Sequence, residues 1–102
     1  MLELRPNCEN CDKDLPPEST DACICTYECT FCRTCVDNLL KNVCPNCGGG
    51  FSARPIRPTQ DRRKGVSLQY QVASTKRVNT TLSAAEISDF SDLVKDIKPE
   101  KR

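Results

Sequence analysis

Apolar positions in this chain form two helical patterns, and elsewhere the pattern is short or absent. Between Cys35 and Cys44 the run VDNLLKNV sets Val36, Leu39, Leu40 and Val43 at helical spacing, with Asp37 near the start and Lys41 near the end. This predicts a short helix over about 35–42 whose apolar face turns to a core. The second pattern lies near the C-terminal end. Ser83 followed three residues later by Glu86 has the form of a capping box, and Leu82 with Ile87 that of its hydrophobic staple. Ile87, Phe90, Leu93, Val94 and Ile97 then make one apolar stripe until Pro99, which predicts an amphipathic helix over about 83–98. Such a helix is marginal alone in water, so the stripe needs a surface to cover it. A pair of short strands is weakly signalled around Ile24 and Tyr27. The middle stretch, RPIRPTQDRRKGVSLQYQVASTKRV, starts with prolines and holds no period, so extended or disordered chain is expected over 59–79.

Composition changes the picture of the core. The 102 residues include three phenylalanines, two tyrosines and no tryptophan, but nine cysteines. A domain so poor in large apolar side chains needs staples, either disulfides or metal thiolates. The start, MLELRPNCEN, has neither the basic nor the apolar region of a signal peptide, and no apolar run approaches a membrane span. A cytoplasmic protein is therefore expected, and in a reducing compartment clustered cysteines hold metal.

Charge divides the chain. Residues 1–50 carry a net −4 and contain every cysteine, whereas residues 51–102 carry +5. The expected organisation is a zinc-binding head at 1–58, a basic segment at 59–79, and a helix with its tail at 80–102.

Without Cys23 the cysteines form four pairs: Cys8 and Cys11, Cys25 and Cys29, Cys32 and Cys35, Cys44 and Cys47. A C-x2-C spacing lets the backbone fold into a knuckle with both sulfurs on one side, at about 2.3 Å from a tetrahedral zinc. Pro45 stiffens the last knuckle, and Gly48 permits the turn beyond it. Eight thiolates make two closed zinc sites. Each carries an expected charge of about −2, which backbone N–H groups, lysine and arginine should offset. Full sulfur coordination leaves no open position for a substrate, so the ions are read as structural. All-thiolate sites also hold iron, and zinc is preferred because the four-pair spacing is that of structural zinc domains. Cys23 is the spare thiol. It lies on the face of Cys25 if the segment is a regular strand, as a buried free thiol, an alternative ligand, or an oxidation-sensitive group.

Which pairs share an ion is open from spacing alone. The order C-x2-C-x13-C-x3-C-x2-C-x2-C-x8-C-x2-C resembles an all-cysteine RING-type cross-brace. That resemblance implies that Cys8, Cys11, Cys32 and Cys35 hold one ion, and Cys25, Cys29, Cys44 and Cys47 the other. A sequential pairing, with Cys8, Cys11, Cys25 and Cys29 on one ion, is the alternative. The strings LRPNCENCDKDLPP, ECTFC, CPNCGG and RPIRP also resemble a family of small bacterial cysteine-rich proteins classed as a domain of unknown function, over residues 2–58. That likeness implies zinc binding by the eight paired cysteines and assigns no activity. The C-terminal helix lies outside it. The expected fold is thus a small, metal-stapled α+β domain, RING-like, with one short helix and the C-terminal helix.

Four functions are compatible with these features. The first is a protein-interaction module without catalysis, contacting another protein or a second copy through Ile87, Phe90, Leu93, Val94 and Ile97. The second is nucleic-acid binding through the basic residues of 54–77, where Tyr70 is the one aromatic residue available to stack. Zinc storage or delivery is the third, but closed sites within a folding core exchange slowly. Ubiquitin-ligase activity by RING analogy is the fourth. It would need an aliphatic contact residue where Glu9 and Asn10 stand, and fold does not carry function. The chain has no histidine and shows no nucleophile–base pair, so no enzyme is expected.

Overall fold

Residues 1–102 are described by a computed structural model. Strand β1 (Ala22–Ile24) turns back on β2 (Thr30–Cys32), pairing Ala22 with Cys32 and Ile24 with Thr30. The loop between them closes by Cys25 N–H to the Cys29 carbonyl (3.2 Å) and Glu28 N–H to the Cys25 carbonyl (3.0 Å). Glu28 stands at φ 66°, the left-handed residue that returns such a loop to its strand. Strand β3 (Ser52–Ala53) adds to the other side of β1, giving the antiparallel order β2-β1-β3.

Directly after β2 comes α1, an α-helical turn (Arg33–Cys35) that widens into a π-helical turn (Val36–Leu40). It begins earlier than the apolar spacing predicts, because Cys32 is still extended and its carbonyl starts the helix without a side-chain cap. It ends at Lys41, whose φ of 53° breaks the helical run. The core lies between this helix and the sheet: Phe31, Val36, Leu40, Leu15 and all the cysteines except the exposed Cys11 and Cys47 are buried there, with Phe51 packed edge-on against Phe31 at 5.5 Å.

Residues 54–80 form no strand, yet they are tied along the N-terminal stretch. Arg57 donates to the carbonyls of Leu2 and Gln71, Ser74 N–H to Glu3, and Thr80 N–H to Glu9. Asn7, fully buried, donates to the Val78 carbonyl and accepts from Val78 N–H.

Helix α2 (Ala84–Val94) starts with the capping box expected from sequence: Glu86 N–H donates to Ser83 Oγ, and Ser83 N–H to Glu86 Oε1. It stops four residues short of the predicted end. Lys98 precedes Pro99 and is held extended, Ile97 N–H reaches back only to Val94, and Asp92 and Asp96 sit where the helix dipole disfavours negative charge. The buried face also differs from the predicted stripe. Ile87 and Ser91 turn into the head, while Leu93 is 78% exposed. The reason is polar. Ser91 Oγ–H donates to the Leu40 carbonyl at 2.6 Å, capping the end of α1. Ser91→Ala removes one of the two donors to that carbonyl and leaves Val43 N–H at 3.0 Å, so a loss of about 0.5–1.5 kcal/mol is expected. It should appear as a lower urea midpoint with unchanged metal content.

Candidate metal centres

Four chain segments bring the paired cysteines into two groups. In the first, Cys8 and Cys11 come from the N-terminal knuckle, Cys32 from the end of β2 and Cys35 from the first turn of α1. Their four sulfurs lie within 4.8 Å of one another. Cys11 Sγ and Cys32 Sγ are 3.8 Å apart. A disulfide needs about 2.05 Å, whereas four sulfurs about 2.3 Å from one central ion sit about 3.8 Å from each other. The donor set therefore fits a tetrahedral thiolate-bound ion.

The second group joins Cys25 from the β1–β2 loop to Cys44 and Cys47 of the last knuckle, again within 4.8 Å. Cys29 is not inside that mutual distance. Its sulfur instead accepts a hydrogen bond from Asn46 Nδ2 of the last knuckle at 3.4 Å, and Cys25 lies beside it. The grouping is interleaved: the first pair meets the third, and Cys25 of the second pair meets the fourth.

The first and last knuckles are built alike. Cys8 N–H donates to the Lys13 carbonyl and Asp12 N–H to that of Cys8; Cys44 N–H donates to Gly49 and Gly48 N–H to Cys44. The residue after each second cysteine has positive φ, 63° at Asp12 and 79° at Gly48. Backbone amides face the sulfurs, among them Cys11 N–H to Cys8, Tyr27 N–H to Cys25, and Gly49 N–H to Cys47. These are backbone N–H groups of the kind expected to offset the charge of a thiolate site.

Burial pushes the thiols of Cys29, Cys32, Cys35 and Cys44 up from their ordinary range. At Cys11 burial acts in the same sense but is outweighed by the Lys13 amide and the neighbouring thiols, so its pKa falls. A dication entering either group must therefore displace protons.

Glu9, inside the first knuckle, points inward. It is 3% exposed and its carboxylate accepts from Thr30 N–H (2.5 Å) and from Arg5 (2.9 Å), while its own N–H donates to the Thr30 carbonyl. It stitches the first knuckle to β2, between Cys29 and Cys32. Nothing in the spacing of cysteines signals that role, nor those of Asn10 and Asn46, although both knuckles read C-x-N-C.

Cys23 belongs to neither group. It is 1% exposed in the core, and its nearest polar neighbour is the Asp21 carbonyl at 4.0 Å. Its pKa is raised by burial, with Arg33 opposing. The strand ends at Ile24, so the alternation that would place Cys23 beside Cys25 does not continue.

A family profile described as a protein of unknown function (DUF1272) matches residues 1–57. An uncharacterized protein of Rhizobium meliloti (strain 1021) is 55% identical over 78 residues, covering 76% of this chain and 86% of that protein. No solved structure is a significant match.

Proposed function

From the premise that this chain belongs to the DUF1272 family, which is of unknown function, we propose a structural zinc protein that serves as a protein-interaction module and performs no catalysis. One zinc is held by Cys8, Cys11, Cys32 and Cys35, and the other by Cys25, Cys44 and Cys47 with Cys29 closing in as the fourth donor. The observation that carries this reading is the four-sulfur group around the 3.8 Å Cys11–Cys32 approach, which suits a tetrahedral ion. Bound zinc supplies folding free energy here, not a reactive site. Sulfur on all four positions leaves none for water, and the chain offers no histidine as a base. The interaction role is supported by the apolar side chains that α2 and the turn after it leave outside: Leu93, Ile97 at 44% exposure, and Phe90 at the edge beside Gly48. The partner is another protein or a second copy. Native mass spectrometry is expected to give two zinc ions per chain and the subunit number together. A folded protein carrying no metal, or three or more ions, overturns the proposal.

Nucleic-acid binding is the second reading, favoured by one feature. Residues 58–71 close on themselves through Leu68 N–H to the Pro58 carbonyl and hold Arg62, Arg63 and Lys64 exposed, none in an ion pair. The footprint is narrower than composition suggests. Arg54 and Arg57 bind carbonyls, and Arg77 pairs with Asp12 and Asp14. With Lys76, four cations remain, so a salt series should give a slope no steeper than about −3.6 in log K against log salt. No DNA or RNA affinity at low salt removes this reading.

A further inference from the structure

The two x-Asn positions of the first and last knuckles have no part in the cysteine pattern, yet they do the same thing. Asn10 Nδ2 donates to Cys35 Sγ at 3.3 Å, and Asn46 Nδ2 to Cys29 Sγ at 3.4 Å. In each case the amide reaches out of its own knuckle to a sulfur of the pair that joins it in the cluster. The equivalence extends to the backbone, since both knuckles share the same two hydrogen bonds and a positive φ after the second cysteine.

The receiving sulfurs are those that lack a backbone donor. Cys8, Cys25 and Cys47 take amide N–H groups from their own loops, and backbone amides of Lys13, Cys35 and Asn46 act on Cys11, Cys32 and Cys44. Cys35 lies in α1, and Cys29 is drawn into the start of the hairpin return, so no knuckle amide serves either. A side-chain amide supplies the missing donor from across the cluster.

The geometry points to Asn10 and Asn46 as a matched pair of positioning residues, each holding one thiolate of its cluster in place for the metal and screening that sulfur from electrophiles. This rests on the two-zinc reading above and adds a residue-level control of metal retention. An N–H donor withdraws charge from a thiolate, which lowers its reactivity and keeps it aimed at the ion. Because the donor and the acceptor sit on different chain segments, each bond also closes the interleave. Asn46 thereby determines whether Cys29 completes the second cluster.

The test uses the zinc-loaded full chain, its zinc release to a competing chelator, and the order in which N-ethylmaleimide modifies each cysteine, read by mass spectrometry. Asn46→Ala is expected to speed release of the first zinc about tenfold, with Cys29 modified first and the second zinc following as the fold loosens. Asn10→Ala should do the same from the other cluster, with Cys35 modified first. Asn→Asp at either position keeps the shape but sets a carboxylate against the thiolate, so its effect should exceed that of alanine. An aspartate variant with wild-type kinetics overturns the proposal, because space-filling alone would then suffice. The same order of cysteine modification in both variants also overturns it. Asn38→Ala, on the exposed side of α1, serves as the unchanged control. If the wild-type chain holds no zinc, it is the two-zinc reading that fails, and the variants are then compared by cysteine modification alone. The two amides still contact Cys29 and Cys35 there, so each alanine variant should change the modification rate of its own cysteine alone, and no difference sinks the inference.

Discussion

Chelation is expected to unfold this protein cooperatively, without releasing two independent ions. A structural thiolate site contributes on the order of 10–16 kcal/mol, which is comparable to the whole stability of a small domain, about 5–15 kcal/mol. Apart from cysteine, the buried apolar side chains are Leu4, Leu15, Ala22, Phe31, Val36, Leu40, Val43 and Ile87. That is a thin core, and it is built around the sulfurs. The two clusters share the continuous stretch from Cys25 through β2 into α1, with Glu9 tying the first knuckle to Thr30. Loss of one ion should therefore loosen the other. Cys44→Ser, at a fully buried position, is expected to give a chain without native circular dichroism or dispersed amide resonances. A chelated chain that keeps both signals would refute the dependence on metal.

The pH response has opposite signs in the two forms. In the metal-free fold, burial raises the thiols of Cys29, Cys32, Cys35 and Cys44, so the folded state binds those protons more tightly than the unfolded chain. Their contribution is present below the ordinary thiol pKa, about 8.5, and is lost as pH rises from there toward the raised folded values. In the metal-loaded form protons compete with the ion, so retention strengthens as pH rises and fails on acidification. Urea midpoints of any residual metal-free fold and of the loaded protein, taken from pH 6 to pH 9.5, should diverge.

Replacing Arg54 is expected to be the most damaging change outside the clusters. This arginine is 4% exposed, and its fork donates to three carbonyls: Arg5 (2.8 Å), Leu15 (3.1 Å) and Pro16 (3.0 Å). No carboxylate faces it, Nε has no partner, and burial lowers its pKa. The charge is thus held by carbonyl dipoles alone. Arg54→Met removes the buried charge but leaves the Arg5 and Leu15 carbonyls without a donor, while Pro16 keeps Ser19 N–H, for a loss of about 3 kcal/mol. Arg54→Lys should fare no better, since one ammonium cannot reproduce the planar fork and is more strongly hydrated. Urea unfolding of the zinc-loaded variants measures both. A lysine variant with wild-type stability would mean that charge, not the fork, is what the site requires.

Arg54 also explains why RPIRP reads as a unit. Each arginine precedes a proline, which disfavours helix and holds the arginine extended. The strap then lies along the N-terminal stretch, where Arg54 and Arg57 collect carbonyls of Leu2, Arg5, Leu15 and Pro16. From sequence these arginines count simply as basic charge. Their partners are far away along the chain, so no local rule reveals that they are structural.

The same distinction runs through the rest of the molecule. Features that depend on neighbours a few residues away were legible in the amino-acid order: the C-x2-C knuckles, the left-handed turn at Gly48, the Ser83–Glu86 box and the helical spacing in α1 and α2. Each rests on backbone geometry and short-range hydrogen bonds that the residue types alone dictate. Features that join distant segments needed the fold. The convergence of Cys8 and Cys11 on Cys32 and Cys35, the inward turn of Ser91 toward Leu40, and the reach of Asn10 and Asn46 to sulfur all follow from how segments pack. The physical reason is that a polar side chain looks like surface in a sequence until a buried acceptor stands opposite it. In a domain with so little apolar material, those long-range polar contacts decide where each element sits.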